Sequence, residues 1–170
     1  MTRAIVGILD ARRRADGSRL AVALAPAPAR SFEDGPLRVS YDGAQGASAS
    51  SLCLLDGHLD NEAELADDLG AAPETSTEEL LRIGYRRWGE GLPARLRGDF
   101  ALLVWDGRRA EGLLARDHLG VRSIYLHEMD GALYFATEIR HLLGVLARRP
   151  GPDPAGVAHW LAASSRPDSG

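Results

Sequence analysis

The chain contains no lysine: all 20 of its basic side chains are arginines. It therefore lacks a P-loop ammonium, a Schiff-base amine and a lysine general base. Its single cysteine, Cys53, excludes an internal disulfide and a multi-cysteine zinc site, and fits a reducing compartment. No apolar run approaches the ~20 residues a membrane helix needs. Arg12, Arg13 and Arg14, followed by an apolar stretch ending in Ala27-Pro28-Ala29, imitate a secretory signal. Asp16, Ser18 and Arg19 interrupt that stretch and a strand lies upstream, so the chain is read as cytoplasmic, without a membrane partner. Nor is there a basic field to hold nucleic acid, since the net charge is −4 and the pI about 5.7. What remains is an ordinary globular composition, 45% apolar and 26% charged over 170 residues, enough for one domain with a sizeable core.

Residues 4–9 (AIVGIL) predict a buried strand, and residues 20–24 (LAVAL) a second, closed by a proline- and alanine-rich stretch. Within the polar, glycine-rich residues 31–50, residues 37–41 (LRVSY) alternate like a half-buried strand. Residues 51–55 (SLCLL) predict another, ended by Asp56-Gly57. A helix over 61–69 follows, with Asn61 and Glu64 as a capping box and Gly70 as its stop. The clearest helix is 77–88: Ser76 caps it, Glu79 completes the box, and Leu81, Tyr85 and Trp88 share one face. Arg82, Arg86 and Arg87 are assigned to its solvated side. Two hairpins come next, 100–105 turning at Asp106-Gly107 into 112–116, and 124–127 turning at Asp130-Gly131 into 132–136. Thr137 is expected to cap a helix through Leu146, with Ile139, Leu142 and Leu143 inward. Pro150-Gly151-Pro152 reads as a linker, after which Asp153 and Pro154 open a last helix whose Trp160 and Leu161 have no core in reach. Short antiparallel strands with helices grouped between them predict a layered α+β fold.

Several stretches, in order, resemble the N-terminal glutaminase-type domain of the asparagine synthetase family. They are residues 56–61 (DGHLDN), 76–81 (STEELL), 97–101 (RGDFA), 104–106 (VWD), 114–122 (LARDHLGVR) and 135–139 (FATEI). The resemblance implies a four-layer αββα sandwich of two antiparallel sheets, the N-terminal-nucleophile (Ntn) hydrolase architecture. It further implies a boundary, with residues 1–149 as the glutaminase-like domain and 150–170 as a linker and the first helix of a C-terminal synthetase domain.

Active members of that family hydrolyse glutamine with an N-terminal cysteine exposed by removal of the initiator methionine. Here position 2 is Thr2, and aligning residues 5–8 with the family's opening places the nucleophile's slot at Arg3. Thr2 then falls one residue early, on the opposite side of an extended chain. The family's oxyanion hole uses an asparagine amide and the next glycine N–H; this chain keeps Gly57 but offers Asp56. An ionised carboxylate cannot donate the hydrogen bond an oxyanion needs. Ser76 stands where the family has an aspartate for the glutamine amine, and the arginine-glycine-proline-aspartate motif for the substrate carboxylate is not visible in residues 28–45. Thr2, Arg3, Asp56, Gly57 and Ser76 are thus remnant pocket positions, and no catalytic, cofactor-binding or metal residue is assigned.

The resulting expectation is a catalytically silent domain of an ATP-dependent amide ligase. Members without the glutaminase site include lasso-peptide cyclases (macrolactam synthetases) and β-lactam synthetases, and residues 148–161 look most like the lasso-cyclase junction. Its partners would be the synthetase domain, in the same or a separate chain, and a precursor peptide. ATP and magnesium belong to that synthetase domain, whose Ser-Gly-Gly-x-Asp-Ser loop is absent from this sequence. The alternatives are a stand-alone module holding a peptide or amino acid, and an amidohydrolase using Thr2. Elsewhere Cys53 reads as a small buried hydrophobe, His58 and Asp60 as surface residues, Arg12 to Arg14 as a solvated turn, and Arg116 and Asp117 as loop anchors.

Overall fold

The computed structural model describes residues 4–25, 29–43, 47–48 and 50–164. Its strands are β1 (Ala4–Leu9), β2 (Arg30–Asp34), β3 (Leu37–Asp42), β4 (Ala47–Ser48), β5 (Ser51–Leu59), β6 (Gly98–Asp106), β7 (Glu111–Arg116), β8 (Tyr125–Met129) and β9 (Ala132–Ala136). The helices are α1 (Arg19–Ala23), α2 (Glu62–Leu69), α3 (Thr77–Trp88), α4 (Ile139–Val145) and α5 (Pro154–Ser164). One antiparallel sheet has the order β2-β3-β1-β9-β8 and the other β4-β5-β6-β7.

Side-chain alternation along the central strands produces the layers. In β1, Ile5 faces the other sheet, where it packs with Leu37, Val39 and Tyr41 of β3 and with Leu52, Leu54, Leu103 and Trp105. Its alternate residues Ala4, Val6 and Ile8 face outward, against Leu20 and Leu24 beside Leu142 and Val145 of α4. On the second sheet, Cys53, Leu55, Phe100, Leu102 and Val104 face Leu65 of α2 and Leu80 and Leu81 of α3. The expected αββα sandwich is therefore present, with one apolar layer between the sheets and one under each helical layer. Cys53 lies fully buried in it, and burial pushes its thiol pKa up, far from a reactive thiolate. Phe135 pairs with Gly7 in register and its ring covers the glycine, so any Cβ there would strike the ring.

Several elements differ from the expectations. Residues around 20–24 form a helix: both flanks of β1 are taken by β3 and β9, and a helix places Leu20 and Leu24 together on the buried face while Val22 stays 72% exposed. Strand β2, unexpected in a polar stretch, joins β3 through a tight turn at Gly35. Asp34 at its end accepts the indole N–H of Trp105 at 2.9 Å, tying the two sheets together. Strand β5 runs on through Asp56-Gly57, because β6 pairs with it continuously from Ser51 to Leu59. The Asp106-Gly107 hairpin closes with a four-residue loop, residues 107–110, since Asp106 pairs with Glu111 and the Gly107 N–H donates to the Ser50 carbonyl at 2.8 Å. By contrast, Asp130 and Gly131 form the expected two-residue turn, both with positive φ.

Helix ends also depart in detail. The Asn61 side chain does not cap α2; its amide donates to the Arg95 carbonyl and its oxygen accepts from the Arg97 N–H, each at 2.9 Å. Ser76 does cap α3, accepting from the Glu79 N–H at 3.3 Å. The Glu79 carboxylate turns to Arg82 and Arg86, and the Arg82 side chain is only 19% exposed, so it does not belong to the solvated face. In α4, His141 takes the inward position expected for Ile139, which is 53% exposed. Asp153 accepts from the Ala155 and Gly156 N–H groups and opens α5, where Val157, Trp160 and Leu161 are exposed. Among the described residues, no helix is long and apolar enough to cross a membrane.

Leu54 is fully buried between the sheets. Leu54→Ala is expected to lower stability by about 2–5 kcal/mol with an unchanged urea m-value, measured as the shift of the unfolding midpoint; a loss below about 1 kcal/mol would contradict the two-sheet core.

Candidate functional site

Alternation along β5 places Asp56 on the same face as Leu52 and Leu54, at the end of the inter-sheet layer where apolar packing stops. Around it opens a cleft of about 360 Å³, lined by Asp56, Arg122, Ser123, Thr137, Glu138 and Arg140 with the apolar Val121, Tyr125 and Ile139. The chain enters β1 at this same end: the Ala4 N–H donates to Asp42 at 2.7 Å, and the Asp42 charge is felt at Asp56. Thr2 and Arg3, immediately before, lie outside the described residues.

Asp56 is only 5% exposed. Burial raises its pKa, and the Arg122 guanidinium, 3.3 Å from its Oδ1, together with the Thr137 hydroxyl partly offsets the rise. Thr137 does not cap α4. Its hydroxyl accepts from the Ile5 N–H at 3.0 Å and its own N–H donates to the Ile5 carbonyl, leaving the hydroxyl proton for Asp56. Thr137 therefore joins β1, the end of β9 and the cleft floor.

Arg122 is held by a neighbouring acid. The buried Asp117 carboxylate accepts the N–H groups of Val121 and Arg122, each at 2.9 Å, and its own N–H donates to the Phe100 carbonyl. Burial pushes the Asp117 pKa up, but the backbone donors outweigh it and hold the group below its ordinary range. Its contribution to stability is complete above the ordinary carboxylate pKa and is lost as the pH falls through the depressed value. Asp117 thus anchors the loop as expected, and that loop delivers Arg122 to Asp56.

Gly57 follows with φ 126°, a conformation that L side chains rarely adopt, and a Cβ there would drive into the Asp99 carbonyl across the ladder. The backbone beside Asp56 is consequently shaped as only glycine allows. Ser76 is elsewhere: it is spent as the cap of α3 in the helical layer over the second sheet and does not line the cleft. His58 and Asp60 pair at 3.3 Å on the exposed surface, and no group of three metal-ligating side chains occurs among the described residues. Of the remnant positions, the structure brings together Asp56 and Gly57 and adds Arg122, Thr137 and Glu138. The sequence signal for these lay in residues 114–122 and 135–139, which run past the ends of β7, beside β5's partner β6, and of β9, beside β1 in the facing sheet.

The sequence profile of the glutamine amidotransferase domain family matches residues 40–144, more than half of the chain. The chain belongs to this family. Curated relatives include asparagine synthetase [glutamine-hydrolyzing] 1 of Bacillus subtilis, 32% identical over 94 residues that make up 53% of this chain and 15% of that protein. Asparagine synthetase B of Escherichia coli is 31% identical over 104 residues, 61% of this chain and 18% of that protein. A fungal relative, amidase chry2 of Gibberella zeae, is 33% identical over 82 residues, 48% of this chain and 12% of that protein. The matched part spans less than a fifth of the length of these relatives. Among solved structures, glutamine phosphoribosylpyrophosphate amidotransferase from B. subtilis superposes with a TM-score of 0.63 at 16% identity, covering 84% of this chain and 43% of that one. That likeness establishes the Ntn-hydrolase fold, and the relatives mark an asparagine-synthetase-like glutamine amidotransferase domain.

The cleft floor therefore consists of an acid whose charge depends on Arg122. Arg122→Ala is expected to cost about 1–2 kcal/mol at pH 7, a value discounted because Arg122 is 41% exposed. The deficit shrinks as the pH falls through the raised Asp56 pKa, where protonation removes the unpaired charge. Urea unfolding at neutral and acidic pH measures this, and a deficit independent of pH would refute the pairing.

Proposed function

We propose that this chain is a glutaminase-silent N-terminal domain of a cytoplasmic, asparagine-synthetase-like amide ligase. The observation that carries this reading is Asp56, buried beside Gly57 and paired with Arg122. At the position where the resemblance calls for an amide donor, the residue is an acceptor whose negative charge opposes a developing oxyanion. The placement of Ser76 as the cap of α3, outside the cleft lining, supports the same reading, since a neutral hydroxyl there offers no carboxylate to a substrate amine.

A ligase without a glutaminase must use an amine already present in its substrate. Lasso-peptide macrolactam formation, in which a side-chain carboxylate of a precursor peptide is activated and joined to that peptide's amine, is the reading preferred here; it rests on the resemblance of residues 148–161 to the lasso-cyclase junction. On this reading α5 belongs to the start of the synthetase domain, which also explains its exposed Trp160 and Leu161. ATP and magnesium would be bound by that domain, as the resemblance to the ligase family implies. The role of the present domain is then to cover the synthetase and shape the approach of the precursor. β-Lactam formation is the neighbouring possibility within the same chemistry.

Two assays test the proposal. The purified chain should release no glutamate from glutamine, and Asp56→Asn alone should not create that activity; glutamate release that disappears in Thr2→Ala would overturn silence in favour of an amidohydrolase. The full-length gene product, given ATP, magnesium and its linear precursor peptide, should release pyrophosphate and yield a product lighter by one water, with no dependence on glutamine. A requirement for glutamine would reject the glutaminase-silent reading.

A further inference from the structure

A second cavity, of about 380 Å³, opens at the other end of β5 and β6, where Ser51 pairs with Asp106, far along both strands from Asp56. Three guanidinium groups line it: Arg82 and Arg86 from α3, and Arg108 from the loop joining β6 to β7. Tyr85 and the apolar Val104, which faces α3, supply wall beside them. Such walls lower the local dielectric and strengthen any charge interaction made in the cavity.

The acids nearby do not satisfy these arginines. Glu79 pairs with both Arg82 and Arg86, the latter only at 3.5 Å, so two carboxylate oxygens serve two guanidinium forks. Asp106 accepts the backbone N–H of Arg108 at 3.0 Å, and no ion pair to the Arg108 side chain occurs among the described residues. Arg109 beside it pairs with Glu111 at 3.0 Å and is accounted for. The cluster thus holds three positive charges against Glu79 and Asp106. Arg82 is also largely buried, and its Nε has no acceptor among the described residues. Convergent like charges with a buried unused donor form an arrangement that an added anion relieves.

We infer that this cavity is an anion site for a phosphate-class group, formed by Arg82, Arg86 and Arg108. A planar carboxylate is satisfied by a single guanidinium fork, whereas three forks meeting from a helix and a loop suit a tetrahedral group with three terminal oxygens and a double charge. The site is separate from the Asp56 cleft and does not depend on the function proposed for it.

Thermal unfolding of the purified chain, at constant ionic strength set with sodium chloride, tests the inference. Inorganic phosphate at about ten times its dissociation constant should raise Tm by about 3–6 °C, and acetate should not. Arg108→Gln, on an exposed loop, should abolish the phosphate shift while leaving the Tm without phosphate within about 1 °C; Arg86→Gln should do the same. Phosphoserine as a second probe distinguishes a free ion from the end group of a larger molecule: a shift as large as that of phosphate assigns the latter. An equal shift from acetate, a shift that survives Arg108→Gln, or none with either phosphate probe would overturn the site.

Discussion

The two sheets bury a shared face, and most of the remaining structure answers to that constraint. Strands β1 and β5 are apolar on both sides, so each must be covered twice: once by the opposing sheet and once by helices. Phe135 reaches across β1 because Gly7 has no side chain, and Asp34 can meet the indole of Trp105 because Gly107 leaves room for it. Both are points where a backbone without a Cβ lets two layers close.

Where the inter-sheet layer runs out, charge replaces apolar packing. Asp56 continues the register of Leu52 and Leu54 but meets Arg122 and Thr137 instead of another aliphatic group. The arrangement is sequential. Asp117, held ionised by backbone N–H groups, fixes the backbone of Val121 and Arg122; Arg122 then offsets the charge of Asp56; and Thr137 ties the floor to β1. A glutaminase pocket of the kind the family suggests would have a hydrogen-bond donor at Asp56. In this chain the floor of the cleft holds an internal ion pair between Asp56 and Arg122.

The two cavities differ in how their charges are balanced. The Asp56 cleft pairs its ions internally, with Arg122 on Asp56 and Arg140 on Glu138 at 2.6 Å. The Arg82 cavity leaves positive charge over. A site already balanced makes little electrostatic demand on a ligand, whereas an unbalanced one does.

The sequence by itself determined the strands of strict alternation or unbroken apolar content, the strongly patterned helix α3 with its Ser76 cap, and the motifs at residues 56–61 and 114–122. These are local signals: periodicity and turn chemistry act over a few residues and are legible without a neighbour. Tertiary structure decided what local signals leave degenerate. Residues 20–24 read as a strand, yet β1 has no free edge for them and they form a helix, and Asp56-Gly57 reads as a turn until β6 supplies the missing hydrogen-bond partners. Thr137 and Asn61 are competent caps, yet each side chain bonds more distant backbone, at Ile5 and at Arg95 and Arg97. The pairing of Asp56 with Arg122 and the meeting of Arg82, Arg86 and Arg108 belong to the same class. They join residues far apart in the chain, and only the stacking of sheets and helices brings such groups within reach of each other.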